Sequence, residues 1–227
     1  MSREKMLWIV DPAVAHAEHQ AIAELAERWP GAHRVFRPAM VPSDGPGSDT
    51  GYDADAVIVL GSRASVHDEL PWIERLAAWV APLVDGSRPL PLLGICFGHQ
   101  LIGHLAGAPV GLLAPDGAKR AGIETSYLEG GSLLPGSVAM PVVVSHREEV
   151  KSAPAGFRTV ARRPGVLVDG LEHEHLPVFS FQFHPEAREE FAEYAGIPVA
   201  RIDERVKREN GRLLQAFCDR AADTARS

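Results

Sequence analysis

Pro91-Leu92-Leu93-Gly94-Ile95-Cys96-Phe97-Gly98-His99-Gln100 is the stretch on which the fold turns. Its first half is an apolar run that reads as a buried strand, and a helical pattern from Phe97 to Ala106 follows at once. Between them stands G-x-C-x-G, the cysteine form of the G-x-S-x-G nucleophile elbow. Glycines at 94 and 98 let strand and helix approach closely around a tight turn. Cys96 then sits above the sheet edge at a helix N-terminus, where partial positive charge and free N–H groups favour an anion. A free thiol has a pKa of about 8.5 and must become thiolate to attack, so this position suits a nucleophile better than a packing residue.

The same alternation continues outward from the elbow. Ala56 to Leu60 is a β-branched run ending at Gly61, and Leu70, Ile73, Leu76, Ala77, Val80 and Leu83 then mark one helix face. Met6 to Val10 reads as a strand. Ile22, Leu25, Ala26 and Trp29 follow on a helix that stops before Pro30-Gly31, and His33 to Arg37 is a second strand. Pro42 to Asp53 is a loop of turn formers. Strand and helix alternating at this spacing predict an α/β fold with a central, mostly parallel sheet flanked by helices. The second half departs from it. Val110–Ala114, Gly122–Leu128, Val138–Ser145, Phe157–Arg162, Val166–Asp169 and Val178–Phe183 are strand-like, with Gly and Pro between them, and predict a small antiparallel extension. A closing amphipathic helix carries Val199, Ile202, Val206, Leu213, Leu214 and Phe217 on one face, with Gly211 as its weak point.

Composition narrows the function. The chain has 227 residues, 23 Lys+Arg against 30 Asp+Glu, a net charge of −7 and 45% hydrophobic residues. At ~150 residues per domain, and with α/β units often longer, this predicts one domain over 1–227 and no second catalytic domain. The negative balance argues against nucleic-acid or anionic-membrane binding. No apolar stretch reaches membrane-span length, no signal peptide is evident and the two cysteines form no disulfide framework, so a cytoplasmic location is expected. Neither cysteine has metal-ligand spacing, and no metal site is expected.

A cysteine nucleophile needs a base, and ten histidines compete for the role. His16 and His19 read as solvated positions on an amphipathic helix. His99 and His104 share the elbow helix and are expected to shape or rim the site. His173 and His175, in H-E-H, read as surface residues. His184 differs: it follows the run Val178–Phe183 directly, and Pro185-Glu186 comes next. A carboxylate two positions beyond a histidine, across a rigid proline, suits a base held by an orienting acid.

Three motifs in one order, Gly61-Ser62-Arg63-Ala64-Ser65-Val66, the Cys96 elbow and Phe181-Gln182-Phe183-His184-Pro185-Glu186, make the sequence resemble the class I (triad-type) glutamine amidotransferases. The similarity is to the glutaminase half of GMP synthases and to stand-alone relatives, and it runs from about Met6 to Glu186. Ser145-His146-Arg147-Glu148 resembles the S-H-x-D element of the same branch. The resemblance implies a flavodoxin-like fold and a Cys-His-Glu triad in which Cys96 attacks the side-chain amide of glutamine, His184 relays the proton and Glu186 orients His184. A thioester forms, ammonia leaves, and water releases glutamate, with no cofactor. The N–H groups of Phe97 and of the Gly61-Ser62 turn are the expected oxyanion donors. Gly61, Gln100, Ser145 and His146 match substrate-contacting positions. A separate synthetase is the partner this implies.

Departures from the family pattern open an alternative. The oxyanion loop is usually S-G-G-P-x-S, whereas this chain reads Leu60-Gly61-Ser62-Arg63-Ala64-Ser65. Arg147 replaces a glycine and Glu148 an aspartate, where the substrate's α-amino and α-carboxylate groups would be held. A stand-alone γ-glutamyl peptidase or hydrolase acting on another γ-glutamyl compound is therefore a second expectation. A non-catalytic regulatory module is a third, against which the intact triad argues.

Overall fold

The computed structural model describes residues 3–224 apart from 42, 48 and 49. Pro42, Ser48 and Asp49 of the predicted loop, and both chain ends of the predicted domain, lie outside the described residues. The first half runs β1 (Met6–Val10), α1 (His19–Arg28), β2 (Ala32–Phe36), β3 (Ala56–Val59), α2 (Pro71–Val84), β4 (Leu92–Ile95) and α3 (Phe97–Leu105). The second runs β5 (Val110–Leu112), β6 (Arg120–Glu129), β7 (Ser137–His146), β8 (Glu148–Val150), β9 (Phe157–Arg163), β10 (Val166–His173), β11 (Val178–Phe181), α4 (Glu189–Ala195) and α5 (Glu204–Thr224).

Among the described residues, nine strands form one sheet in the order β2-β1-β3-β4-β11-β10-β9-β6-β7. The five from β2 to β11 are mutually parallel, and β10, β9, β6 and β7 continue antiparallel. β5 and β8 pair separately. The fold is the expected α/β one, with helices on both faces of a sheet whose centre is parallel.

Strand alternation builds two cores. On β1, Leu7 and Ile9 pack with Ile22 and Leu25 of α1 and with Leu213 and Phe217 of α5. Trp8 and Val10 face the other way, toward Ile73, Leu76 and Val80 of α2 and Phe97 and Leu101 of α3. Each such side chain contributes roughly 1.5–3 kcal/mol by leaving water. The sheet is thus covered on both sides, as a parallel sheet requires.

Strand order places the site. β2 lies on one side of β1 and β3 on the other, so the winding direction reverses there, and ligands of open α/β sheets bind beyond the carboxyl ends of the strands. β4 pairs with β3 on one side and β11 on the other. Gly61, Cys96 and His184, which follow these three neighbouring strands, therefore emerge at one sheet edge.

Two helical expectations change. His16 lies before α1 rather than on it, and α5 begins only at Glu204. Asp203 accounts for that start, its Oδ1 accepting the N–H groups of Arg205 and Val206 at 2.9 Å each. Val199 lies in a separate 3₁₀ turn and Ile202 just after it, although Ile202 is buried all the same. Gly211 is a close approach rather than a weakness, since a Cβ there would stand 2.6 Å from Nη2 of Arg28 on α1.

Candidate active site

The elbow is built by its glycines. A Cβ at Gly94 would lie 2.5 Å from the carbonyl oxygen of Gly98, and one at Gly98 would lie 2.2 Å from that of Val59 on β3. No side chain fits either place, so α3 starts hard against the sheet. Cys96 absorbs the turn with φ 52° and ψ −100° and is the one non-glycine residue with positive φ among the described residues. Backbone held this way costs of order 1–3 kcal/mol and is sustained by its surroundings. Here the Cys96 N–H donates to the Phe181 carbonyl at 2.9 Å, and its own carbonyl accepts from Gln100 at 3.0 Å.

β11 ends at Phe181, and the chain runs on through Gln182 and Phe183 to His184, whose N–H is pinned to the Val143 carbonyl of β7 at 2.8 Å. The imidazole Nδ1 meets Glu186 Oε1 at 2.8 Å, and both side chains are buried. Nδ1 is thereby the protonated nitrogen facing a carboxylate. Nε2 is buried with no settled hydrogen-bond partner. Burial opposes a charge on this ring, but the charges of Cys96 and Glu186 outweigh it and hold the His184 pKa above its ordinary value. The imidazolium form is thus favoured in this buried setting.

Gly61 completes this cluster from β3: a Cβ there would sit 2.8 Å from Cε1 of His184 and 3.5 Å from Cβ of Cys96. Ser62 turns its hydroxyl away, donating to the Pro12 carbonyl at 2.7 Å and accepting from the Ala64 N–H at 3.2 Å. Its φ is not positive, so serine stands there without strain, and the anchor to Pro12 stiffens a turn that lacks the proline of the family pattern. Phe97 sends its ring into the core beside Trp72 and offers the site only its backbone.

Gly61, Ser62, Cys96, Gln100, Ser145, His146 and His184 line one cavity of about 550 Å³. Cys96 Sγ faces the Ser145 carbonyl at 4.0 Å. Gln100 is already engaged, its amide nitrogen donating to the Glu148 carbonyl at 2.8 Å and to Gln182 Oε1 at 3.2 Å. His146 is engaged too. Nδ1 meets the same carbonyl at 2.9 Å, and Nε2 meets the guanidinium of buried Arg163. Burial, and then Arg163, push its pKa down to about 3, so the ring stays neutral. Gln100 and His146 therefore hold the loop between β7 and β8 in place.

A model of the class-I glutamine amidotransferase family matches residues 31–194. The chain belongs to this family. It is 38% identical over 98 residues to a glutamine-hydrolyzing GMP synthase subunit of Pyrococcus abyssi, a stretch that is 43% of this chain and 51% of that protein. The chain thus spans about half the length of this relative. It is 32% identical over 158 residues to the corresponding GMP synthase subunit of Methanopyrus kandleri, covering 68% of this chain and 78% of the relative. Among solved structures, a glutamine amidotransferase from Thermotoga maritima superposes with a TM-score of 0.76 at 14% identity, over 98% of this chain and all of that one.

This amidotransferase cavity holds residues that the motifs did not flag. Glu18, just before α1, lies close enough to Glu186 and His184 to feel both charges, and burial, then Glu186, push its pKa up to about 7. α4 supplies Phe191, whose ring lies 4.3 Å from that of His184, and Tyr194, whose face carries the Arg63 guanidinium at 4.2 Å. Lys119, before β6, lines the same wall. These positions lack a local signature because tertiary contact alone recruits them. Ser65 ties the Gly61-Ser62 turn across to Glu148, donating to its carboxylate at 2.8 Å.

The other histidines fall elsewhere. His99 is fully buried, with Nδ1 against the Ser180 hydroxyl at 2.8 Å and its pKa pushed down to about 3 by burial. It is a core residue that does not rim the cavity. His104 is exposed and packs edge-on against His67, also away from it. His173 uses Nδ1 to accept the N–H groups of His175 and Leu176. No cluster of three or more His, Cys, Asp or Glu side chains that could hold a metal occurs among the described residues. No described helix is long and apolar enough to cross a membrane. Cys218 is buried on α5, its thiol pushed up to about 12 by burial, which leaves it inert.

Proposed function

We propose that this amidotransferase hydrolyses the side-chain amide of glutamine, or of a glutamine-like γ-glutamyl amide, through a thioester on Cys96. The observation that carries the reading is the convergence of Cys96, His184 and Glu186 at the ends of adjacent strands, with Nδ1 of His184 held by Glu186 at 2.8 Å. The Cys96 thiolate attacks the γ-carbonyl carbon. The tetrahedral oxyanion is stabilised by the N–H groups of Phe97 and of the Gly61-Ser62 turn, and loss of one such donor costs ~10²–10³ in rate. His184 protonates the departing nitrogen, a step whose general-acid help is worth ~10²–10⁴. It then takes a proton from the water that attacks the thioester, and glutamate leaves. Glu186 keeps the imidazole oriented throughout. The names of the GMP synthase relatives support a partner as well: a separate synthetase that consumes the ammonia.

Incubation of the pure protein with glutamine, with glutamate and ammonia both measured, tests the reading. Equimolar products are expected, together with their loss in Cys96→Ala and labelling of Cys96 by a glutamine-mimicking electrophile. Turnover that survives Cys96→Ala would remove the thioester. Stimulation by an added synthetase would support the partner.

A further inference from the structure

The Gly61-Ser62 turn, whose N–H groups the proposed hydrolysis uses, has little regular structure to support it. Between β3 and α2 the chain from Leu60 to Leu70 forms neither strand nor helix, and it holds no proline. Its start is pinned to β1, the Leu60 N–H donating to the Val10 carbonyl at 3.0 Å. Further along, the Ser65 hydroxyl donates to Glu148 at 2.8 Å, and Nε2 of His67 meets the Val110 carbonyl at 3.0 Å. The turn itself is anchored outward by the Ser62 hydroxyl, which donates to the Pro12 carbonyl at 2.7 Å.

That anchor is only as fixed as Pro12, and Asp11 fixes it. The Pro12 carbonyl and the Ala13 N–H belong to one planar peptide unit. Asp11 Oδ1 accepts that N–H at 3.2 Å, so the unit is held at both ends, by a carboxylate on one side and by Ser62 on the other. Hydrogen bonds in series polarise one another, and the carboxylate makes the Pro12 carbonyl a better acceptor. Asp11 is fully buried, and its own N–H donates to the Phe36 carbonyl at the end of β2 at 2.8 Å. Its Oδ2 accepts the Glu18 N–H at 3.1 Å and lies 3.5 Å from Nε of Arg37. One carboxylate thus closes the loop between β1 and α1. Pro12 and Ala13 are buried as well, so losing either bond leaves a buried polar group without its partner.

We propose that Asp11 is a positioning residue for the reaction at Cys96: through the Pro12–Ala13 peptide and the Ser62 hydroxyl it holds the Gly61-Ser62 turn in place to receive the oxyanion. This rests on the thiol hydrolysis above and adds a residue to it. Asp11 does not line the cavity, so its effect reaches the reaction through the turn. The N–H groups there meet a neutral carbonyl in the bound substrate and a full negative charge once the γ-carbon becomes tetrahedral. Slack in the turn therefore raises the transition state more than the bound substrate.

The test measures kcat and KM for glutamine in wild type, Ser62→Ala, Asp11→Ala, the double variant and Cys96→Ala. Ser62→Ala keeps the N–H of the turn and removes only the hydroxyl. Each single variant is expected to lose on the order of tenfold in kcat, less than the ~10²–10³ for deleting an oxyanion donor outright. KM is expected to change by less than about threefold, since the interaction weakened is one made in the transition state. Both side chains act through one peptide unit, so the double variant is expected to be no slower than the slower single variant. Rates in the Cys96-containing proteins are counted per Cys96 labelled by a glutamine-mimicking electrophile, so unfolded molecules do not enter. Asp11→Asn, which keeps the volume and one acceptor oxygen, takes the place of Asp11→Ala in the same cycle should that variant not fold, with a smaller loss expected. Single losses that multiply in the double variant overturn the inference, as do an unchanged kcat in Ser62→Ala and a raised KM at constant kcat. In each of those cases glutamine turnover that disappears in Cys96→Ala leaves the thiol reading standing. Turnover that persists in Cys96→Ala removes both.

Discussion

Gly61 stands against the edge of His184 so closely that a methyl group there would lie 2.8 Å from Cε1. The imidazole is the hydrogen-bonded partner of Glu186 and packs on Phe191, so it yields only by leaving its place. Since φ at Gly61 lies outside the left-handed region, alanine brings a steric load and no backbone strain. Gly61→Ala is expected to fold with a stability loss of about 1–3 kcal/mol and to lose on the order of tenfold to a hundredfold in kcat, the scale of a small misplacement of a catalytic group. Paired thermal melts and glutaminase kinetics check this. Unchanged kcat would show that His184 has slack the packing does not suggest.

The parts of this site that sequence made legible share one property: backbone constraint written into neighbouring residues. Gly94, Cys96 and Gly98 declare the elbow, and His184-Pro185-Glu186 declares the hydrogen-bonded imidazole–carboxylate pair, because each needs a fixed local spacing. The inner parallel strands β1, β3, β4 and β11 are equally plain, since runs buried on both faces are near-continuously apolar. Glu18, Lys119 and Tyr194 were not legible. They reach the cavity from distant stretches, and nothing in their local sequence records which strand ends they will face. β8 and α4 were missed for a related reason: three and seven residues respectively carry too little periodicity to stand out. His99 misled in the opposite direction, its position in the elbow helix suggesting a rim when its ring turns inward to Ser180.

Cys96 provides a test in which stability and function oppose each other. At φ 52° and ψ −100° a side chain is strained, and glycine is not. Cys96→Gly and Cys96→Ala both remove the thiol, but only glycine releases the backbone. Glycine ordinarily costs about 0.5–1 kcal/mol against alanine through the unfolded chain. Here the order is expected to reverse, with Cys96→Gly more stable than Cys96→Ala by about 1 kcal/mol in urea denaturation. Alanine equal to or more stable than glycine would mean that the turn stores no strain.

Glu18 sets a pH dependence of stability. Burial, then the Glu186 charge, raise its pKa to about 7, with Asp11 and Glu190 adding to the rise and His184 opposing it. Folding therefore favours the protonated acid. Its contribution is complete below the unfolded value near 4.5 and is lost as pH climbs through about 7. At pH 8 the native state carries a charge it disfavours, and Glu18→Gln removes it. After allowance for the partial exposure of this side chain, the variant is expected to be stabilised on the order of 1 kcal/mol at pH 8. That gain should fade to nothing by about pH 4.5. Melting temperatures across this range, for wild type and variant, should converge at the acid end. Parallel curves would show that Glu18 titrates normally.

Arg163 is the support on which the β7–β8 loop depends. Its side chain is fully buried, paired with Asp169 at 2.8 Å and Glu124 at 2.6 Å, and its guanidinium also meets Nε2 of His146. Asp169 in turn accepts from the Ser126 hydroxyl at 2.6 Å. Removing the cation alone leaves a buried carboxylate unpaired, a defect worth roughly 3–5 kcal/mol. Arg163→Met is accordingly expected to lose about that much in chemical denaturation. Replacing both partners should be milder, and Arg163→Met/Asp169→Leu is expected to recover a substantial part of the loss, since no orphaned charge remains. The consequence for the site is common to both. His146 lacks its guanidinium neighbour in either variant, so the repulsion that helps hold its pKa down is gone. Both should show its NMR titration moved upward and KM raised through the loosened Ser145–Glu148 loop. A double variant that is stable yet binds substrate normally would confine Arg163 to folding, and a single variant as stable as wild type would show that Asp169 takes up a proton when its partner is lost.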